Sequence, residues 1–594
     1  MIGYFGSITK KTFSPPPAEN DRERWAWETS GYIFRVEGAN SCTATLERNG
    51  KKLVLQGIAH RNGQPFHRDQ AVILEEILAD YETSGVLKID GLEGSFTVFL
   101  IDTATEKLLL YRNFVGSTFT YYTATPEGFF WGDSFAEVAK GSGQSRVLNE
   151  EMLPVLFIGR YPTGQKTLLK NIFRLYPGEL LEWSGIEYRV KQVTTLADFE
   201  EPRKTSFAES VERVESTTRE IIDDWFQLYP HSANLLSGGV DSTYLQIHWN
   251  NRWKQSDLCD GKQKPKCAFV WLDHPRMKPD YDYTMTAVEQ TDSDVLAIKQ
   301  PSLTAARMRE IIRRNGDFPN HVQSFYFATL AERMREHGFD GAVSGIGADV
   351  LFGTEIQDAI LDALWWRRRF SFPGLRTVLK YAATLVGKKG LCHRLRTSEI
   401  LDDVSDFQHP VNRVLAFTDI PTLLRCFSEA EIGAAMKYRR EVPDVLQMPK
   451  DPDHLFRSLA VGYYCVGTIT SACWTKYSME AGLRMCSPFL DSRMIRVANN
   501  IALDAHFVPR KPKAVLKKAL LKHVPETFVN RPKRGFGQPI FEWLSPGGCL
   551  REAAENIADY PFMPKQVKQD ILDKPNWILW TLLCFDLWHK ELIG

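Results

Sequence analysis

Ser237-Gly238-Gly239-Val240-Asp241-Ser242 is the stretch on which the reading of this chain turns. It follows the apolar run Ala233-Asn234-Leu235-Leu236 and precedes Thr243-Tyr244-Leu245-Gln246-Ile247. That order reads as a strand, a tight glycine turn and the first turn of a helix. Two adjacent glycines let backbone N–H groups point inward at an anion with no Cβ in the way. The helix N-terminus behind them adds positive partial charge. Ser237 and Ser242 offer hydroxyls, and Asp241 offers a carboxylate for a metal. The site is shaped for pyrophosphate. It is not the Walker-type loop, because the Gly-Lys-Ser/Thr ending is absent.

A second segment narrows the reading. Gly341-Ala342-Val343-Ser344-Gly345-Ile346-Gly347-Ala348-Asp349-Val350-Leu351-Phe352-Gly353 is again a short apolar strand entering a glycine loop that carries an aspartate. Asp241 and Asp349 then form a carboxylate pair able to hold Mg²⁺ against the phosphates of a nucleotide, since Mg²⁺ takes one or two protein carboxylates plus phosphate oxygens and waters.

With these loops in place the chain resembles the asparagine synthetase family, whose synthetase half is an adenine-nucleotide α-hydrolase-like ATP pyrophosphatase domain. The family's first loop reads Ser-Gly-Gly-hydrophobic-Asp-Ser, and its second is matched by Ser344 to Gly353. Pro488-Phe489-Leu490-Asp491 looks like its Pro-Phe-Leu-Asp element, and Arg531-Pro532-Lys533-Arg534-Gly535-Phe536-Gly537 looks like its C-terminal lysine loop. Trp577 to Leu583, followed by Trp588, resembles its closing helix. The resemblance implies that Leu236, Ser237, Gly238, Gly239, Asp241, Ser242, Val270, Ser344 and Gly345 bind ATP. It implies that Asp241 and Asp349 hold Mg²⁺, that Lys533 stabilises charge during catalysis, and that Asp317, just before Phe318-Pro319, orients the substrate or nucleotide.

The N-terminal third resembles a class II glutamine amidotransferase domain. Leu92-Glu93-Gly94-Ser95-Phe96, Leu108 to Asn113, Gly116, Tyr121-Tyr122 and Phe129 to Ser134 follow that domain's order, and Arg174-Leu175-Tyr176-Pro177-Gly178 resembles the stretch near its end. Such a domain attacks glutamine with an N-terminal cysteine. Here Ile2 stands at that position, and an isoleucine cannot attack an amide. The expectation is a degenerate domain without glutaminase activity, with Cys42 a small core hydrophobe.

Composition agrees with an intracellular enzyme. The chain has 594 residues, enough for two or more domains with full cores. Lys plus Arg number 73, as do Asp plus Glu, so charge points to neither nucleic acid nor a membrane surface. Ten cysteines lack metal-type spacing and no signal-type leader is read, so a reducing cytoplasm is expected. The longest apolar runs, such as Trp577 to Phe585, fall short of the ~20 residues of a membrane span.

The expected fold class is α/β in two parts. Residues 1–200 form an α+β Ntn-type sandwich of short strands with turns such as Arg48-Asn49-Gly50 and Arg61-Asn62-Gly63. Residues 208–594 form the synthetase domain, where strands at Ala233–Leu236, Cys267–Leu272, Val295–Ile298 and Gly341–Ser344 alternate with helices and imply a parallel sheet. Both glycine loops then fall at the carboxyl ends of strands, where open α/β sheets bind ligands. Residues 355–455 are less legible; Trp365 to Phe370 reads as an amphipathic helix with a solvated face or a grip on a peptide.

The implied reaction is ATP-dependent amide formation. A carboxylate attacks the α-phosphate of ATP, pyrophosphate leaves, and an amine displaces AMP from the acyl-adenylate. In glutamine-dependent relatives the second loop carries a glutamate where this chain has Ile346. Ile2 and Ile346 both remove functions concerned with ammonia, while the ATP-handling residues remain. An amine already on the substrate explains both departures, and tethering it makes the step unimolecular. Among family branches the chain is most like the lasso-peptide macrolactam synthetases. That implies a precursor peptide as substrate and a leader peptidase and leader-recognition protein as partners. A β-lactam synthetase-like cyclase, an ammonia-dependent asparagine synthetase and a non-catalytic scaffold are the alternatives. Glu355 and Glu480 are the nearby carboxylates considered for general base.

Overall fold

A computed structural model describes residues 4–12, 24–38, 43–114, 119–185, 187–259, 264–319, 322–353, 374–388, 391, 395, 418–445, 474–502, 505, 512–531 and 538–594. Ile2, Cys42, Glu355, Lys533 and the Trp365 to Phe370 cluster lie outside the described residues. Among the described residues the strands form three sheets.

Two antiparallel six-stranded sheets make up the N-terminal part. The first runs, in spatial order, Phe173–Arg174, Tyr121–Thr125, Gly128–Gly132, Phe5–Lys10, Tyr32–Glu37 and Arg24–Glu28. The second runs Glu187–Gln192, Glu179–Ser184, Lys107–Arg112, Leu92–Asp102, Lys51–Arg61 and Ala44–Arg48. The strand Leu92–Asp102 shows why they stack. Its Phe99 and Ile101 join Tyr4, Ile8 and Phe34 of the facing sheet, while Phe96, Val98 and Leu100 pack on the helix Ala71–Ser84 through Ile73, Leu74 and Ile77. Side chains alternate along a strand, so one buried on both faces reads as nearly continuous apolar sequence. Asn49 and Gly50 have φ of 51° and 71°, the paired positive values of a tight hairpin turn between Ala44–Arg48 and Lys51–Arg61.

The third sheet is parallel, with spatial order Asp294–Gln300, Lys266–Leu272, Ser232–Leu235, Gly341–Val343 and Arg484–Cys486. Its last strand was not expected from the sequence, because three residues carry too little pattern to register. The chain lays down its first three strands towards one edge and then returns to the other side of the first. The order therefore reverses between Ser232–Leu235 and Gly341–Val343, and the two glycine loops leave the carboxyl ends of these two neighbours. A crevice opens at such a reversal, where open α/β sheets accept ligands.

Between the sheets lies the connection Leu196–Phe199, followed by the helix Phe207–Leu228. One apolar core crosses the junction, joining Tyr121, Phe130 and the helix Met152–Gly159 to Phe325, Trp580 and the closing helix Trp577–Leu592. Polar contacts cross it too: Gly94 N–H donates to Ser492 Oγ at 2.7 Å, and Arg496 lies 3.0 Å from Glu93. No helix among the described residues is long and apolar enough to cross a membrane.

Candidate functional site

Asn234 sets the first loop. Its buried side-chain amide donates to Ser242 O at 3.0 Å and to Gln246 Oε1 at 2.9 Å. Gln246 continues to Asn250, which donates to Thr291 O at 2.6 Å. This ladder ties the strand end to the helix Val240–Lys254, fixing the turn between them. Within the turn Ser237 N–H donates to Ser242 Oγ at 3.2 Å, and the two hydroxyls lie 3.1 Å apart. Gly238 has φ of 75°, and a Cβ there would fall 2.5 Å from Tyr283 O. Only glycine fits that backbone so close to its neighbour.

The second loop is pressed against the first. A Cβ at Gly345 would lie 3.3 Å from Asp241 Cβ and 3.4 Å from Ser242 N. Ser344 N–H is held by Cys486 O at 2.8 Å, so the unexpected fifth strand anchors this loop. Gly347, at φ of 96°, leaves room for Leu490 and the carbonyl of Phe489, so the Pro-Phe-Leu-Asp element buttresses the loop. The short helix Ala348–Phe352 then places Asp349 in its first turn.

The residue that unites the loops was missed in the sequence. Lys513 donates to Asp241, and its Nζ lies 2.6 Å from Asp349 Oδ1. Lys513 is 5% exposed. Burial opposes its charge, but the two carboxylates outweigh burial and hold the ammonium well above its ordinary pKa. Its backbone is left-handed, φ 60°, and its N–H donates to Phe352 O at 3.0 Å. One signal was present. A lysine at the N-cap of Ala514–Leu520 defies both the preference for Ser, Thr, Asp or Asn there and the helix dipole. A broken local rule of that kind points to a tertiary reason.

Arg531 was read only as part of a loop. It donates to Gly238 O and stacks 4.2 Å from the Tyr283 ring centroid and 3.9 Å from that of Phe528. It is thus a second cation fixed on the first loop.

The other expected residues separate. Leu236 is fully buried, its N–H bonded to Ala268 O, and joins the core around Tyr244 and Phe489. Val270 lies on the adjacent strand Lys266–Leu272 and is buried in the other core, with Ile298 and Met277. Ile346 is half-buried and packs against both cores. Asp317 is placed in a different setting. Its carboxylate accepts from Tyr121 OH at 2.5 Å and from Phe318 N–H at 2.7 Å, and lies 3.9 Å from Arg174. Tyr121 and Arg174 come from the first N-terminal sheet, so this buried acid joins the two domains. Glu480 is largely buried near Lys476 and Arg314; burial raises its pKa to about 6, against the pull of those cations.

Comparison with known proteins agrees with this geometry. Residues 232–590 match the family described as asparagine synthase, and residues 62–193 match the glutamine amidotransferase domain. A putative glutamine-hydrolyzing asparagine synthetase of Mycobacterium tuberculosis (strain ATCC 25618 / H37Rv) is 31% identical over 128 residues, 20% of each chain. The glutamine-hydrolyzing asparagine synthetase 1 of Bacillus subtilis (strain 168) is 30% identical over 126 residues, 19% of this chain and 20% of that one. The aligned stretch thus spans about a fifth of the length of the curated relatives it matches. The glutamine phosphoribosylpyrophosphate amidotransferase from B. subtilis, complexed with ADP and GMP, aligns at 10% identity and a TM-score of 0.20, covering 58% of this chain and 76% of that one. So low a score carries no argument about the fold. The family match over more than half of the sequence does decide the matter: this chain belongs to the asparagine synthase family.

Proposed function

We propose that this chain is an ATP-dependent carbon–nitrogen ligase that closes a macrolactam, joining an N-terminal amine to an Asp or Glu side-chain carboxylate of a lasso-type precursor peptide. The observation that carries the ligase reading is the clasp of Asp241 and Asp349 by Lys513 between two glycine loops.

In the first step a carboxylate oxygen attacks the α-phosphorus of ATP. The bond to the β-phosphate oxygen breaks and pyrophosphate leaves. The loop N–H groups, the N-terminus of Val240–Lys254 and the Lys513 ammonium are the groups that bind and spread its charge. The donor atoms of the two carboxylates are hard oxygens. That set fits Mg²⁺ held by Asp241 and Asp349 together with phosphate oxygens. Bound there, Mg²⁺ would supply charge neutralisation at the departing pyrophosphate. In the second step the amine attacks the acyl carbon, the bond to AMP breaks, and the amine releases a proton. Lys533 is the cation we assign to this step.

The choice of an amine within the substrate rests on Ile346, which has no group to assist ammonia. A leader peptidase and a leader-recognition protein would be the partners. A second reading, ammonia-dependent asparagine formation, is favoured by the names of the matched relatives.

Pyrophosphate release separates them. Release with a peptide bearing a free N-terminal amine and an internal Asp or Glu, together with loss of one water from the peptide mass, is the expected result. Release with aspartate and ammonium instead establishes the second reading. Release with neither, from folded protein, overturns the ligase proposal.

A further inference from the structure

One helix of this chain is turned the wrong way round for water. A helix lying on a protein core faces its apolar stripe inward and its charges outward. Leu375–Leu385 does the reverse. Val378, Tyr381 and Leu385 share one face at helical spacing and are 64%, 66% and 88% exposed, and Val386, just beyond the last turn, is 72% exposed. The opposite side carries buried Ala383, with Leu379, Arg376 and Lys380 half-buried around it. The exposed large apolar side chains elsewhere among the described residues, such as Val86 and Val147, stand apart from one another, as surface apolar residues ordinarily do. A contiguous apolar face on the outside of a fold calls for something to cover it.

The charge around this helix is as uneven as its exposure. From Ala363 to Ser398 there are nine Lys or Arg residues and no Asp or Glu. The balance of 73 basic against 73 acidic residues over the whole chain hides this run. The same stretch includes the Trp365 to Phe370 cluster, three arginines between aromatic residues, which the ligase reading leaves without a part. Lys388 is exposed just past the C-terminal end of the helix, where the backbone closes with Lys388 N–H donating to Ala383 O at 2.8 Å.

We propose that the helix Leu375–Leu385 is a docking surface for an anionic lipid bilayer, lying in the plane of the interface. Its apolar face would enter the headgroup–acyl boundary, and the basic run would meet the negative surface. Three features select this occupant. The face is a ridge: a side chain 88% exposed, as Leu385 is, does not line a groove that could clasp a peptide. A second copy of the chain would bring a second basic run against the first. A helix of 11 residues is about 16 Å long, roughly half the ~30 Å hydrocarbon core, so it lies on a bilayer and does not cross it. The surface is separate from the nucleotide loops, and its role does not depend on the reaction proposed above.

The test is flotation of the full chain with vesicles of phosphatidylcholine alone or mixed equally with phosphatidylglycerol. The parent should float with the anionic vesicles and not with the neutral ones, and about 0.5 M sodium chloride should release it. Val378→Ser combined with Leu385→Ser should weaken vesicle binding at least about tenfold, because the buried apolar area is lost. Lys388→Gln should weaken it by about fivefold, the worth of one cation near an anionic surface. The double variant should keep the thermal midpoint and the pyrophosphate release of the parent. A midpoint several degrees lower would show that these side chains pack inside the fold, and overturns the proposal. It is also overturned if the parent ignores anionic vesicles, or if the double variant floats as well as the parent. Two further results would assign the face to another occupant and so overturn it. One is a dimer, seen by sedimentation without lipid, that the double variant dissolves. The other is a soluble peptide of Glu and Leu that binds the parent more tightly than vesicles do and fails to bind the double variant.

Discussion

Lys513 Nζ sits 2.6 Å from Asp349 Oδ1 while also donating to Asp241, so one buried ammonium ties together loops that leave neighbouring parallel strands. Without it two carboxylates would face each other across touching backbones. Lys513→Met should therefore do two things. Pyrophosphate release should fall by about a hundredfold or more, because a preorganised cation at the developing charge is lost. Stability should also drop by about 3 kcal/mol, as when one partner is cut from a buried pair. Urea unfolding and a coupled pyrophosphate assay read the two effects separately.

Gly238 tests the shape of the first loop without altering charge. Alanine there meets Tyr283 O and must adopt a left-handed backbone, worth about 1 kcal/mol of strain by itself. We expect G238A to remain folded and to lose about a hundredfold in pyrophosphate release, since small displacements of positioning groups have effects of that size. Near-normal turnover in G238A would show that the loop does not hold the leaving group.

For Asp317 the contacts argue for a structural part. Asp317→Asn leaves the buried Arg174 without its counter-charge and should lower stability by about 3 kcal/mol. At temperatures where the variant is folded, turnover should stay within about twofold of the parent. A large fall in kcat with unchanged unfolding would restore the substrate-orienting role expected from the sequence.

Glu480 makes stability depend on pH. Burial raises its folded pKa to about 6, above the ordinary 4.5, so the folded chain holds this proton more tightly than the unfolded one. By linkage its contribution is fully present below about pH 4.5 and is lost as pH rises through about 6. Glu480→Gln should flatten that part of the stability profile and be the more stable protein at pH 7.5. Denaturant titrations at pH 5 and 7.5 measure this. An identical pH profile in the two proteins would contradict the assignment.

Parts of this molecule were open to reading because their causes are local. A glycine pair after an apolar run, an Asn-Gly hairpin and the alternation of strands with helices are consequences of backbone freedom and side-chain period, which a few adjacent residues express. The strand Arg484–Cys486 escaped because its three residues have no period to display. Leu236 and Val270 could be named from the sequence, but their division between two cores follows from the sheet having two faces.

The amino-acid sequence by itself determined the two glycine loops, the aspartates they carry and the family to which they point, since each is written in a short contiguous string. Only the tertiary structure decided that Lys513 closes the site from 272 residues beyond Asp241 and that Asp317 serves the domain junction. The reason is physical. Pairing of charges depends on which groups the sheet order and the shared core bring together out of water, and no local pattern encodes that.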